Sequence, residues 1–289
     1  FKKEGEFMKK RFSNKVPFIV LTIIHLCMFL YNFKKHKATT IFTSLFSNIG
    51  MAYIFEYVVF TWLKAYNYFP KIFKKREIDN ALGALLSQAI FVPITATFLT
   101  LNTRSWFWKM FFTLYFSIIE RIFLHWKLHQ NRWWNTTLTT SLILLYFFIS
   151  DFWLRNIPKK IVQVGSYVLI SPLFIMHYLY GLVFFKRIKF GYNKYSWREA
   201  FKLVPLYGLV QSFIYMFFSY KRTPLTFIGS MFSIFIIDFC LIKLKIIKVK
   251  RYIYLFILHM YTLALNSYSY HAIQNTKEWN EAPKEEENL

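Results

Sequence analysis

Apolar runs of about twenty residues follow one another along the chain, separated by short polar stretches in which Lys, Arg, Tyr and Trp gather. An α-helix rises 1.5 Å per residue, so roughly 20 apolar residues reach across the hydrocarbon layer of a bilayer. By that measure the pattern predicts nine spans, at about 16–33, 41–63, 81–102, 105–126, 135–154, 161–185, 203–220, 224–242 and 252–271. The first is short, and the seventh carries Pro205, Gly208 and Gln211, so the range is seven to nine. The expected fold class is all-α: a polytopic transmembrane helix bundle over residues 16–271 with a cytoplasmic N-terminus. A basic segment, 1–15, precedes it. Residues 1–7 stand ahead of Met8, read as not the native start, and are set aside from fold reasoning. Residues 272–289 form an acidic tail, poor in apolar side chains and expected to be disordered.

Composition sharpens the class. Apolar residues make up 56% of the chain and charged ones 18%, against about 25% charged in soluble domains, so the runs between loops are starved of charge. A net charge of +23 raises nucleic acid as a partner. The cations sit in loops between apolar runs instead, as the positive-inside rule requires, and no nucleic-acid partner is expected. Lys and Arg favour the loops on the N-terminal side by about two to one, which makes that side cytoplasmic. The expected address is the plasma membrane. Cys27 and Cys240 lie inside apolar runs and read as packing thiols. Loops 64–80 and 186–202 share a basic, aromatic character but do not align, so no internal repeat is expected.

Polar side chains within spans cost about 2.5–3.5 kcal/mol when charged and central, and so tend to mark function. The candidates are Asn48, Glu56, Gln88, Glu120, His177, Gln211, Asp238 and His259. Glu56 lies roughly 10 Å inside its helix from the basic loop at Lys64, deep enough to need a partner. It reads either as a substrate or proton site or as an inter-helix bond. Glu120 is nearer the interface. Asp238 has Lys245 two turns on and reads most simply as a snorkelling pair. His125 and His129 are spaced to share a helix face, but two ligands fall short of the three of a catalytic zinc, so no metal is expected. Arg121, His125, Lys127 and Arg132 are better read as a cradle for an anion or a lipid phosphate. His25, His177 and His259 read as packing residues. Trp62, Trp106, Trp108, Trp126, Trp133, Trp134, Trp153 and Trp197 read as interface anchors. Pro93, Pro172 and Pro205 are candidates for kinks.

The segment NIGMAYIFEYVVFTWLKAYNYFPKIFKKREIDNALGALLSQAIFVPITATF, with IIERIFLHWKLHQNRWW after it, resembles a group of uncharacterised multi-pass membrane proteins from spore-forming Gram-positive bacteria. The resemblance covers roughly residues 48–150. Its matching positions are Glu56, Tyr68, Pro70, Asp79, Asn80, Glu120 and Trp133, and it implies location and fold, not activity.

No phosphate-binding Gly loop, G-x-S-x-G, CxxC pair or kinase set occurs in the sequence, and no cofactor is expected. Three function classes stay open. One is a small transporter or permease-like carrier using Glu56 and Glu120 as proton or cation sites. Another is a membrane-embedded enzyme acting on lipid or isoprenoid phosphate. The third is a non-enzymatic component of a sporulation or envelope complex. The expected partners are the bilayer itself and an anionic lipid or small-molecule ligand. Protein partners cannot be read from the sequence.

Overall fold

The computed structural model describes residues 2–103, 105–192, 194–219 and 223–274, with backbone alone for 2–13. The chain is mostly helical, at 78%, and divides into two compact units, Phe1–Pro158 and Lys159–Asn275. Unit 1 holds α1 (Lys2–Asn32), α2 (Ala38–Trp62), β1 (Tyr66–Tyr68), α3 (Arg76–Asn102), α4 (Trp106–His125), β2 (His129–Asn131) and α5 (Thr136–Arg155). Unit 2 holds α6 (Lys160–Phe184), β3 (Ile188–Phe190), α7 (Trp197–Ser219), α8 (Pro224–Lys243), β4 (Ile247–Val249) and α9 (Ile253–Gln274).

Among the described residues, six helical segments are long and apolar enough to cross a membrane: those of α1, α2, α3, α5, α6 and α7. Helix α4 carries Lys109, Glu120 and Arg121 and is not one of them. The outward faces fit a lipid solvent. Ile161, Leu225, Phe217, Phe152 and Phe232 each expose more than 60% of their surface, on a scale that a water-soluble surface does not carry. The chain is a membrane protein. Helix α1 begins within the basic segment 1–15, not after it. Of the acidic tail, residues 275–289 lie outside the described residues, as do Arg104, Lys221 and Arg222.

Each unit carries one short antiparallel ladder, and the two ladders are built alike. In unit 1 the register is Tyr66↔Asn131, Asn67↔Gln130 and Tyr68↔His129. In unit 2 it is Ile188↔Val249, Lys189↔Lys248 and Phe190↔Ile247. Flanking bonds also match. Phe69 N–H donates to Leu128 O and Arg132 N–H to Ala65 O, as Gly191 donates to Ile246 and Lys250 to Arg187. Pairing β1 with β2 brings the C-terminal ends of α2 and α4 together; pairing β3 with β4 does the same for α6 and α8.

The turn from helix into strand explains why the strands form where they do. A lysine with positive φ stands two residues before every strand: Lys64, Lys127, Lys186 and Lys245, at φ of 52°, 58°, 56° and 57°. After α4, α6 and α8 the chain closes in a Schellman motif. Lys127 and Leu128 donate to Leu124 O and Phe123 O; Lys186 and Arg187 donate to Val183 O and Leu182 O; Lys245 and Ile246 donate to Ile242 O and Leu241 O. The left-handed residue stops each helix and swings the chain back across its end. Two residues after each lysine the first ladder side chain, Tyr66, His129, Ile188 or Ile247, is buried. The expectation of no internal repeat is therefore corrected. Unit 1 from α2 onward and unit 2 from α6 onward both run helix, strand, helix, helix, strand, helix, with α1 an added helix in unit 1, and loops 64–80 and 186–202 occupy the same place in that order. Three-residue strands have too few positions for a sequence alignment to detect them.

Inside unit 1, α3 is the central helix, packed by α1, α2 and α5. It changes to a π-helical turn over Leu86–Phe91, just ahead of Pro93. Helix α2 ends in another, Tyr57–Trp62, directly after Glu56. Such turns displace the side chains on either side of them and often accompany functional sites. Gly83 of α3 lies against Tyr68 of β1 so closely that a Cβ there would collide with the Tyr68 side chain. Lys109 is buried in α4. Its ammonium sits 2.9 Å from Asp151 of α5, which also accepts from Arg155.

Candidate functional site

Several polar residues of the spans collect into a buried cluster in each unit; Asn48, which donates to Thr97 Oγ1, and His177, whose Nδ1 donates to Leu173 O, are not among them. In unit 1 the cluster forms where α2, α4 and the ladder meet. Glu56, the last residue before the π turn of α2, is buried and accepts a 2.6 Å hydrogen bond from Tyr66 Oη. Its second carboxylate oxygen, Oε1, has no hydrogen-bond partner, although the Gln88 amide of α3 lies beside the carboxyl. Glu120 of α4 accepts from Asn131 Nδ2 at 3.0 Å and from Thr136 Oγ1 at 3.2 Å. Asn131 Oδ1 is in turn 2.7 Å from His129 Nε2. An amide oxygen can only accept, so His129 carries its proton on Nε2 and leaves Nδ1 as a buried lone pair with no partner. The rings of Tyr66 and Tyr68 pack on the imidazole at 5.3 and 4.6 Å, and Trp134 closes on Tyr66 edge-on at 5.5 Å.

The electrostatics follow from burial. Burial, then the nearby Glu56 carboxylate, push the Tyr66 and Tyr68 phenols well above their ordinary range. Burial lowers the His129 imidazole below its ordinary value, and Glu120 pulls part of the way back. Glu56 and Glu120 both act on Tyr66 and Tyr68, so the two carboxylates singled out in the sequence share one aromatic cage.

Other residues of this region are structural. The Asp79 carboxylate accepts the backbone N–H groups of Lys71, Ile72 and Phe73 and holds the 70–75 loop in shape. Asn80 accepts from the Tyr68 N–H and donates to Asn67. Arg121, His125, Lys127 and Arg132 are all exposed. The expected shared helix face of His125 and His129 does not exist, because α4 ends at His125 and His129 is a buried ladder residue. Among the described residues no group of three His, Cys, Asp or Glu is placed to hold a metal. Trp134, expected at the interface, is buried and donates to Thr139 Oγ1; Trp133 keeps an exposed ring and donates to Leu63 O.

Unit 2 holds the more complete arrangement, and part of it is a correction. Asp238 of α8 does not pair with Lys245. It is buried, accepting from Tyr207 Oη of α7 at 2.6 Å through one oxygen and lying 2.8 Å from His259 Nε2 of α9 through the other. The Asp238 contact assigns the imidazole proton to Nε2. His259 Nδ1 is then an acceptor, facing Tyr215 Oη at a longer 3.5 Å. Tyr215 and His259 have no solvent-exposed surface. The sequence reading took His259 for a packing residue; its partner is contributed by another helix, so no spacing along the chain reveals the pair.

Two amides border this set. Gln211 lies one turn from both Tyr207 and Tyr215 on α7 and close to the Tyr207 hydroxyl. Asn266 lies two turns beyond His259 on α9. Both are buried, and among the described residues neither amide's oxygen or nitrogen has a partner in good hydrogen-bond geometry. His25 Nδ1, by contrast, donates to Leu21 O, and its ring sits among Phe91, Tyr115 and Phe116, as that of a packing residue does.

No protein-family profile, no curated protein and no solved structure matches this chain.

Proposed function

We propose that the protein is a proton-coupled carrier of a small polar solute in the bacterial plasma membrane, with the Asp238–His259 pair as its proton site. The observation that carries this reading is the continuous buried row Tyr215, His259, Asp238, Tyr207, drawn from three helices. Ionisable groups in membrane helices are costly and are retained where ions or protons move. In this row the Nε2 proton can pass to Asp238 over 2.8 Å, and His259 Nδ1, facing Tyr215, is the acceptor for an incoming proton. The unpaired Gln211 and Asn266 amides beside it offer donors and acceptors to a polar solute, because a buried amide without a partner costs about 1–3 kcal/mol.

The Glu56–Tyr66 and Glu120–Asn131–His129 cluster is a second protonatable site in this reading. The nine-span threading with a cytoplasmic N-terminus also belongs to the proposal. Its support is the loop-charge bias and the common end that each ladder imposes on its two helices. An enzyme acting on lipid phosphate and a passive envelope component are the competing readings, and neither calls for a row of exchangeable protons.

The test is proton flux in liposomes carrying the purified protein and an internal pH-sensitive dye, with a mixture of amino acids and sugars on both sides, under an imposed pH gradient with potassium and valinomycin to clamp the potential. Wild type is expected to dissipate the gradient, and Asp238→Asn and His259→Gln to slow it at least tenfold while melting within a few degrees of wild type. Equal flux in folded wild type and variants overturns the proposal.

A further inference from the structure

The two ladders share a register but not a surface. At the middle of the unit 1 ladder, Asn67, buried and bonded to Asn80, faces the exposed Gln130, a neutral pair. At the same place in unit 2, Lys189 faces Lys248, and both are exposed. Side chains directly opposite in an antiparallel pair have Cβ atoms about 5 Å apart, and like charges there are destabilising. One step outward, Lys250 N–H donates to Arg187 O, so a second facing pair of cations continues the same side of the ladder. Alternation turns Ile188, Phe190 and Ile247 inward, where they are buried, and leaves Arg187, Lys189, Lys248 and Lys250 together on the outer side.

Nothing within unit 2 neutralises them. Its two described carboxylates are Glu199, paired with Lys202, and Asp238, buried against Tyr207 and His259. The 22-residue α9 carries the chain about 33 Å from the ladder at 1.5 Å per residue. Around the ladder stand Phe185, Leu244, Tyr252 and Ile253, each more than half exposed, a belt of apolar and aromatic side chains of the kind found where helices leave the hydrocarbon.

We propose that the outer face of the β3–β4 ladder binds the phosphate of an anionic phospholipid headgroup, held by Lys189 and Lys248 with Arg187 and Lys250 beside them. A phosphate between two facing lysines converts their repulsion into two attractions. The apolar belt places the cations at headgroup depth, which favours a lipid over a free anion. The inference is independent of the proton pathway, because it concerns the loop ends and not the helix interior.

The test compares melting of wild type, Lys189→Gln/Lys248→Gln and Lys189→Glu in phosphatidylcholine vesicles with and without phosphatidylglycerol, and lipid retention in native mass spectrometry. Wild type is expected to be stabilised by phosphatidylglycerol and to retain it, with apparent affinity falling about fivefold for each lysine removed. Lys189→Glu, which sets opposite charges across the ladder, is expected to melt at or above wild type in phosphatidylcholine alone and to lose the response to phosphatidylglycerol. An exposed pair in unit 1, Lys74→Gln/Lys75→Gln, is the control and is expected to respond as wild type does. Phosphatidylglycerol acting equally on wild type and on Lys189→Gln/Lys248→Gln overturns the site. Equal competition by inorganic phosphate at the headgroup's concentration overturns the assignment to a lipid.

Discussion

Glu56 illustrates how a single hydroxyl can hold a carboxyl inside a membrane helix. Its Oε2 accepts from Tyr66, so Tyr66→Phe strips that oxygen of its donor while preserving the ring that packs on Trp134 and His129. The expected cost is about 1–3 kcal/mol, read as a lower melting temperature in detergent, and Glu56→Gln in the Tyr66→Phe background should recover part of it. His129 supplies a pH dependence. Free histidine takes up a proton near 6.5, and burial lowers that value in the fold, so the unfolded chain binds the proton more readily. The stabilisation is complete above 6.5 and declines as pH falls through that value toward the lower folded one. Melting temperature should thus drop between about pH 7.5 and 5.5, and His129→Gln should drop less; identical pH profiles would remove His129 as the cause. Lys109 and Asp151 form a buried ion pair, where loss of one partner costs more than the pair contributes. Asp151→Asn should destabilise by about 3–5 kcal/mol, and Lys109→Met/Asp151→Leu by much less, a comparison that thermal unfolding of both variants decides.

At the scale of elements, the helices were legible because a membrane span needs only length and apolarity, both of which are written in the chain. The ladders were not. Tyr66–Tyr68, His129–Asn131, Ile188–Phe190 and Ile247–Val249 are too short to show alternation, and their pairing partners lie about sixty residues away. A signal did exist in the motif of an apolar residue, Lys, one residue, then a buried ladder residue: Leu63-Lys64-Ala65-Tyr66, Trp126-Lys127-Leu128-His129, Phe185-Lys186-Arg187-Ile188 and Leu244-Lys245-Ile246-Ile247. It hides because Gly, not Lys, is the expected residue at a left-handed helix stop. Replacing Lys127 by Gly should therefore stabilise the fold by up to about 1 kcal/mol, seen as a raised melting temperature. A fall would mean that the lysine side chain contributes more than its backbone strain costs. The candidate sites divide in the same way. Glu56 and Glu120 stood out as charges in apolar runs. Their joint placement around Tyr66 and Tyr68, and the Asp238–His259 pair, depend on contacts between helices that no local pattern encodes.

At the scale of the whole molecule, each unit encloses one protonatable cluster, and the clusters differ in completeness. Unit 1 relies on one tyrosine, one asparagine and one threonine to satisfy two carboxylates. Unit 2 joins acid, imidazole and two phenols in an unbroken row. The alternative to a proton site is that this row only ties α7, α8 and α9 together, and the two accounts separate on whether Asp238 changes protonation in the folded protein. Infrared difference spectroscopy of the carboxyl stretch across a pH titration reads this directly. The account predicts a carboxyl band that changes with pH, is absent from Asp238→Asn and is displaced in His259→Gln. A carboxylate signal unchanged across the whole range in which the protein stays folded would contradict it.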